Sequence, residues 1–130
     1  MKKTLFIFTL TFSAMFLSPS YAGWTEVVKD GKGNTFYVDF ERMRKVDGQV
    51  YWWQLADYLK PDQGGDLSVK VYAQGDCKLF RLKSLSFSYH KEPMGEGIGL
   101  IEEPNEKFKN WLYPPPDTSV ENILKSVCNR

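Results

Sequence analysis

Two cysteines, Cys77 and Cys128, are the only thiols in a chain of 130 residues, and they constrain its fold more than any other feature. Both lie downstream of a segment that reads as an export signal. Met1-Lys2-Lys3 is a short basic start, and Leu5 to Leu17 is apolar apart from Thr and Ser. Ser20 and Ala22 are small residues placed for cleavage before Gly23. The apolar run is shorter than the about 20 residues that a membrane-spanning helix needs, so cleavage leaves no integral membrane segment. An uncleaved N-terminal anchor is the competing reading. In an exported chain an even cysteine count reads as a disulfide. One intramolecular pairing exists, Cys77 with Cys128, and it closes a loop of about 50 residues, a constraint worth about 4 kcal/mol. The alternatives are a free redox thiol or a zinc pair. However, no Cys-x-x-Cys occurs, and His90 is the only imidazole, which leaves too few ligands for a tetrahedral metal site.

The second cysteine belongs to the clearest helix in the sequence. Thr118-Ser119-Val120-Glu121 is a capping box, in which the Thr hydroxyl and the Glu carboxylate each satisfy an amide that the helix start leaves unpaired. Behind it Val120, Ile123, Leu124, Val127 and Cys128 form one apolar stripe. A helix this short is marginal alone, so it is expected to pack on a sheet and to be tied there through Cys128.

The rest of the chain reads as strands. Trp24–Lys29 and Thr35–Asp39 form a hairpin around the turn-rich Asp30–Asn34, and Asp39 caps one helical turn at Phe40–Met43. Asp47-Gly48 turns the chain into a strand at Val50–Tyr58, with Tyr51, Trp53 and Leu55 on one face and Val50, Trp52 and Ala56 on the other. Both faces are partly apolar, so each is either covered or left open for binding. Leu67, Val69, Val71 and Ala73 alternate with polar residues in a half-buried strand. In the next strand, from about Lys78 to Tyr89, apolar residues shift from even positions (Phe80, Leu82) to odd ones (Leu85, Phe87, Tyr89). This shift fits either a β-bulge near Lys83-Ser84 or partial burial of both faces. Glu92–Gly99 reads as a flexible surface loop. Phe108–Tyr113 reads as a last strand, stopped by Pro114-Pro115-Pro116. The expected fold is therefore α+β: an antiparallel sheet of about six strands with a C-terminal helix on one face, tethered by the disulfide, in a single domain over residues 23–130.

Charge excludes some functions. Lys+Arg 17 and Asp+Glu 16 give a formal +1, and losing Lys2 and Lys3 with the signal leaves −1. That balance offers no attraction for nucleic acid or for an acidic membrane surface. No catalytic constellation is apparent either: His90 has Tyr89 and Lys91 as neighbours and reads as a solvated surface residue, and the aspartates lie in turns. No catalytic, cofactor-binding or metal-binding residue is assigned, and no cofactor is expected. The aromatics remain. Most belong in the core, but a subset left exposed opposite the helix would form a protein-binding patch. Trp52, Tyr72 and Tyr89 are the candidates, together with Arg42 and Arg44 from the basic cluster Arg42-Met43-Arg44-Lys45, which otherwise reads as a solvated turn.

The order of Trp24, Tyr37-Val38-Asp39 and Trp53-Gln54-Leu55-Ala56-Asp57-Tyr58, then Asp76-Cys77, Arg81, Met94-Gly95-Glu96-Gly97 and Val127-Cys128, resembles the bacterial surface-adhesin protein E family across the whole exported part. The resemblance implies a six-stranded antiparallel sheet with the terminal helix held to its concave face by the disulfide. It also implies an adhesin that engages host extracellular or cell-envelope proteins and can form a homodimer. One departure is that no cysteine stands at the cleavage point to take a lipid. The functional expectation is an exported, non-enzymatic binding protein at the cell surface or in the periplasm. The alternative is a periplasmic accessory or stress protein, or a carrier of a small ligand.

Overall fold

Antiparallel pairing from one strand to the next builds most of the molecule. The computed structural model describes residues 23–130; the export signal expected over residues 1–22 lies outside the described residues. The strands are β1 (Trp24–Lys29), β2 (Thr35–Asp39), β3 (Arg44–Val46), β4 (Gln49–Asp57), β5 (Ser68–Asp76), β6 (Arg81–His90) and β7 (Leu100–Glu102), with helices α1 (Glu106–Lys109) and α2 (Ser119–Cys128). The sheet runs β1-β2-β4-β5-β6-β7, and β3 also pairs with β4. The expected antiparallel sheet with a C-terminal helix is therefore present. β2 and β3 share one edge of β4. β2 pairs with Gln54–Asp57 and β3 with Gln49–Tyr51, while a 3-10 turn at Phe40–Arg42 steps the chain between them. Arg44 and Lys45 thus lie in a strand and not, as the composition of the basic cluster suggested, in a solvated turn. Asp39 sets that turn, its carboxylate accepting from the Arg42 amide at 3.3 Å.

The core lies between α2 and one face of the sheet. Ile123, Leu124 and Val127 of α2 pack with Val38, Val50, Trp52, Ala73 and Leu82. The helix begins as its sequence requires, with the Thr118 hydroxyl accepting from the Glu121 amide at 3.2 Å. The Glu121 carboxylate reaches back to the amide of Asp117, one residue before the cap. At the far end Cys77 and Cys128 are joined, with their Cα atoms 5.6 Å apart. Gly75 makes room for this packing. A Cβ there would lie 2.7 Å from the Trp52 ring and 3.0 Å from Leu124.

The phase shift in β6 is a bulge. Tyr72 faces Ser86 while Ala73 faces Ser84, so Leu85 is an extra residue, one position past the expected Lys83-Ser84. The bulge lets Leu82 on one side of it and Phe87 on the other share the helix side of the sheet.

Two segments differ from the sequence reading. Phe108–Tyr113 is not a strand. Asn105 caps a helical turn through the Phe108 amide, and only Leu112 makes a bridge, to Leu82. The last strand of the sheet is instead β7, which pairs with Phe87–Tyr89. Glu92–Gly99 is also not a loose loop. Met94 is buried, with φ 59°, inside a 3-10 turn at Pro93–Gly95. Among the described residues no helix is long and apolar enough to cross a membrane.

Candidate binding surface

Strand alternation and pairing define the face opposite α2. Tyr37, Leu55, Lys70 and Ser88 form one cross-strand row, with Thr35, Asp57, Ser68 and His90 beyond it. In the other direction Trp53, Tyr72 and Ser86 form a row, then Arg44, Tyr51, Gln74 and Lys83, then Val46, Gln49, Asp76 and Arg81.

Segment 92–99 occupies one end of this face and is held there by polar groups. Ser68, fully buried, donates to the Glu92 carbonyl at 2.6 Å and accepts from the Gly95 amide at 2.8 Å. The Asp57 carboxylate accepts from the Met94 amide at 2.8 Å. His90 is 2% exposed and so is not the solvated residue its sequence neighbours suggested. Its Nδ1 donates to the Glu96 carbonyl at 3.1 Å, and its Nε2 accepts from the Ser88 hydroxyl at 2.8 Å. A serine beside a histidine invites a nucleophile reading. Here the backbone of Gly99 lies against the pair so closely that a Cβ would collide with Ser88 Oγ and come 2.7 Å from His90 Cε1. The pair seats a loop, and its reactive atoms are covered.

The other end of the face has no such cover. Tyr51, Trp53 and Tyr72 are half-buried and packed together, with ring centroids 5.0 Å apart for Trp53–Tyr72 and 6.4 Å for Tyr51–Tyr72. The Arg44 guanidinium donates to the Tyr72 hydroxyl at 3.0 Å. That bond, with the attraction of the same phenol oxygen, raises the already high pKa of Arg44. Glu41, Arg42, Met43, Arg44, Trp53 and Tyr72 line an open cavity of about 450 Å³. Asp39, almost fully buried, holds Arg42 through Nε at 2.6 Å. At the sheet margin Trp111 lies under two cations, Arg81 at 4.2 Å and Lys83 at 4.7 Å.

Three of the five candidate residues, Tyr72, Arg42 and Arg44, therefore come together here. The other two do not. Trp52 is fully buried under α2, its indole donating to Gln54 at 2.8 Å, and it offers no surface to a partner. Tyr89 is on the helix side, stacked on Phe87 at 6.0 Å. Burial, and the nearby carboxylates of Glu102, Asp62 and Asp66, push its pKa up. Trp53 and Tyr51 take their places. Alternation separated Trp52 from Trp53 in the sequence, and the clean apolar set Val69, Val71 and Ala73 could have marked the helix side as that of Trp52. Among the described residues no group of three or more His, Cys, Asp or Glu side chains could hold a metal ion.

The family model for surface-adhesin protein E matches residues 24–129. The chain belongs to the surface-adhesin protein E family. Its fold is similar to crystal structures of Haemophilus influenzae protein E at 22% identity. Crystal form II gives a TM-score of 0.62 over 83% of this chain and 88% of that one. A second structure gives 0.60 over 83% and 85%. No curated protein matches the chain. At that identity the likeness to protein E establishes the shared architecture of sheet and helix.

Proposed function

We propose that this chain is an exported, non-enzymatic binding module of the adhesin type, and that its uncovered sheet face contacts a protein of the host matrix or of the cell envelope. Membership of the surface-adhesin protein E family and the signal-like residues 1–22 support export and adhesion. The observation that carries the reading is the packed, half-exposed group Tyr51, Trp53 and Tyr72 with Arg44 beside it, on a face that α2 does not cover. Tyr, Trp and Arg are the residue types that dominate binding energy at protein interfaces. The enclosed Ser88–His90 pair favours binding over chemistry, because a nucleophile beneath the Gly99 backbone cannot meet a substrate.

The test combines location with binding. Fractionation and protease shaving of intact cells are expected to find the chain outside the cytoplasm. Protein comprising residues 23–130 is expected to bind immobilised matrix or envelope proteins, and the Trp53→Ala/Tyr72→Ala double variant to lose that binding while keeping its disulfide and a cooperative urea transition. Equal binding by the two proteins would remove this face from the function, and a cytoplasmic pool would remove adhesion.

A further inference from the structure

The charges on the uncovered face do not cancel within it. Arg42 is matched by Asp39 and Arg81 by Asp76 (3.1 Å), and both carboxylates are buried. Glu26, on the same face at β1, pairs with Lys29 at 3.8 Å. Arg44 forms no ion pair among the described residues, and its bond to Tyr72 uses one of five donors. Lys70 forms no ion pair among the described residues, Lys83 lies over the Trp111 ring, and the Asp57 carboxylate, at the far end of the face, is taken up by the Met94 amide. Glu41 is the one carboxylate that lines the cavity.

The spacing of these cations is set by the sheet. Arg44 faces Tyr51, Tyr51 faces Gln74 and Gln74 faces Lys83, so one row crosses four strands. Three inter-strand steps place the Cα atoms of the two residues about 14 Å apart. An extended peptide advances about 3.4 Å per residue with alternate side chains on one side, so carboxylates at its first and fifth positions span the same distance and point the same way. The third side chain points that way too and comes down over Tyr51 and Gln74, beside the Tyr72 ring, whose centroid is 6.4 Å from that of Tyr51.

Resting on the binding-face reading above, we infer that the partner presents an extended acidic segment. One carboxylate docks on the Arg44 guanidinium, a second reaches Lys83, and an apolar side chain between them packs on the Tyr51 and Tyr72 rings. The packed Tyr51 and Tyr72 rings favour a peptide over an acidic polysaccharide, whose hydroxyls would find few partners there. A neutral segment would leave the Arg44 charge desolvated and unmatched.

The test titrates isotope-labelled protein of residues 23–130 with a blocked five-residue peptide carrying glutamate at positions one and five and phenylalanine at position three. Amide resonances of Arg44, Trp53, Tyr72 and Lys83 are expected to move saturably. The glutamine version of the peptide is expected to bind about tenfold more weakly or worse. Arg44→Glu is expected to abolish the shifts, and Arg44→Lys to weaken them because a point charge lacks the two-pronged geometry. Equal binding of the glutamine peptide, shifts elsewhere, or shifts only with a heparin-derived hexasaccharide would overturn the inference. If the Trp53→Ala/Tyr72→Ala variant loses its protein partner while Arg44→Glu retains it, the binding face stands and the acidic segment falls.

Discussion

Trp52 and Trp53 are neighbours in β4 that serve opposite sides of the sheet. Trp52 is fully buried beneath α2, and Trp53 lies 5.0 Å from the Tyr72 ring on the uncovered face. One supports the fold, and the other lies half-exposed on the face that α2 leaves open. Trp52→Ala is expected to cost about 3–5 kcal/mol, because it empties a site packed on both sides. Trp53→Ala is expected to cost about 1 kcal/mol or less while removing binding. Urea unfolding of both variants checks this, and equal losses would contradict the assignment of sides.

Gly75 is needed for its size. A methyl group there would press on the Trp52 ring and on Leu124, so Gly75→Ala is expected to destabilise by about 1–3 kcal/mol through overpacking. Pairing it with Leu124→Ala, which opens space at the same point, should recover part of the loss. Strictly additive losses in a double-mutant cycle would exclude direct contact.

The disulfide joins the end of α2 to the turn after β5. Replacing both cysteines by serine is expected to cost about 2–5 kcal/mol. The loss should appear first as hydrogen exchange in α2, because the short helix then depends on its apolar stripe alone. A variant with unchanged exchange there would show that the helix does not need the tie.

Acid should weaken the same turn. Asp76 accepts from the amides of Leu79 (3.2 Å) and Lys78 (3.1 Å) and pairs with Arg81. The Leu79 bond, aided by Arg81 and Lys78 against the cost of desolvation, holds its pKa below the ordinary value. A folded-state pKa below the unfolded one means that the stabilisation is complete above about pH 4, the unfolded value. It is lost as pH falls from there through the folded value. Asp76→Asn is therefore expected to lower stability at pH 7 and to flatten the decline below pH 4, measured as urea midpoints at each pH. An unchanged acid limb would exclude Asp76 as a source.

Local pattern reveals some of this architecture and conceals the rest. The capping residues and apolar stripe of α2 are local, and so is the change of phase that signals a bulge in β6, which pairing puts at Leu85, one position past Lys83-Ser84. The burial of His90 is not local, since it comes from a segment that returns across β6 and whose only sequence trace is Gly99, where nothing larger fits. β7 has three residues and becomes a strand only by pairing with Phe87–Tyr89. The proposed binding residues fall in between. Alternation splits Trp52 from Trp53, but the side that stays uncovered is decided by where α2 docks, a long-range outcome.

The extra residue in β6 acts as a frame-setter for everything after it. Remove Leu85, and a regular ladder would exchange inside for outside along the remainder of the strand. Phe87 and Tyr89 would be thrown to the side where segment 92–99 now rests, and Ser88 and His90 turned away from the loop they anchor. A single codon deletion would thus unseat a loop several residues away without altering any residue that touches it, which makes this position far less forgiving of length change than of substitution.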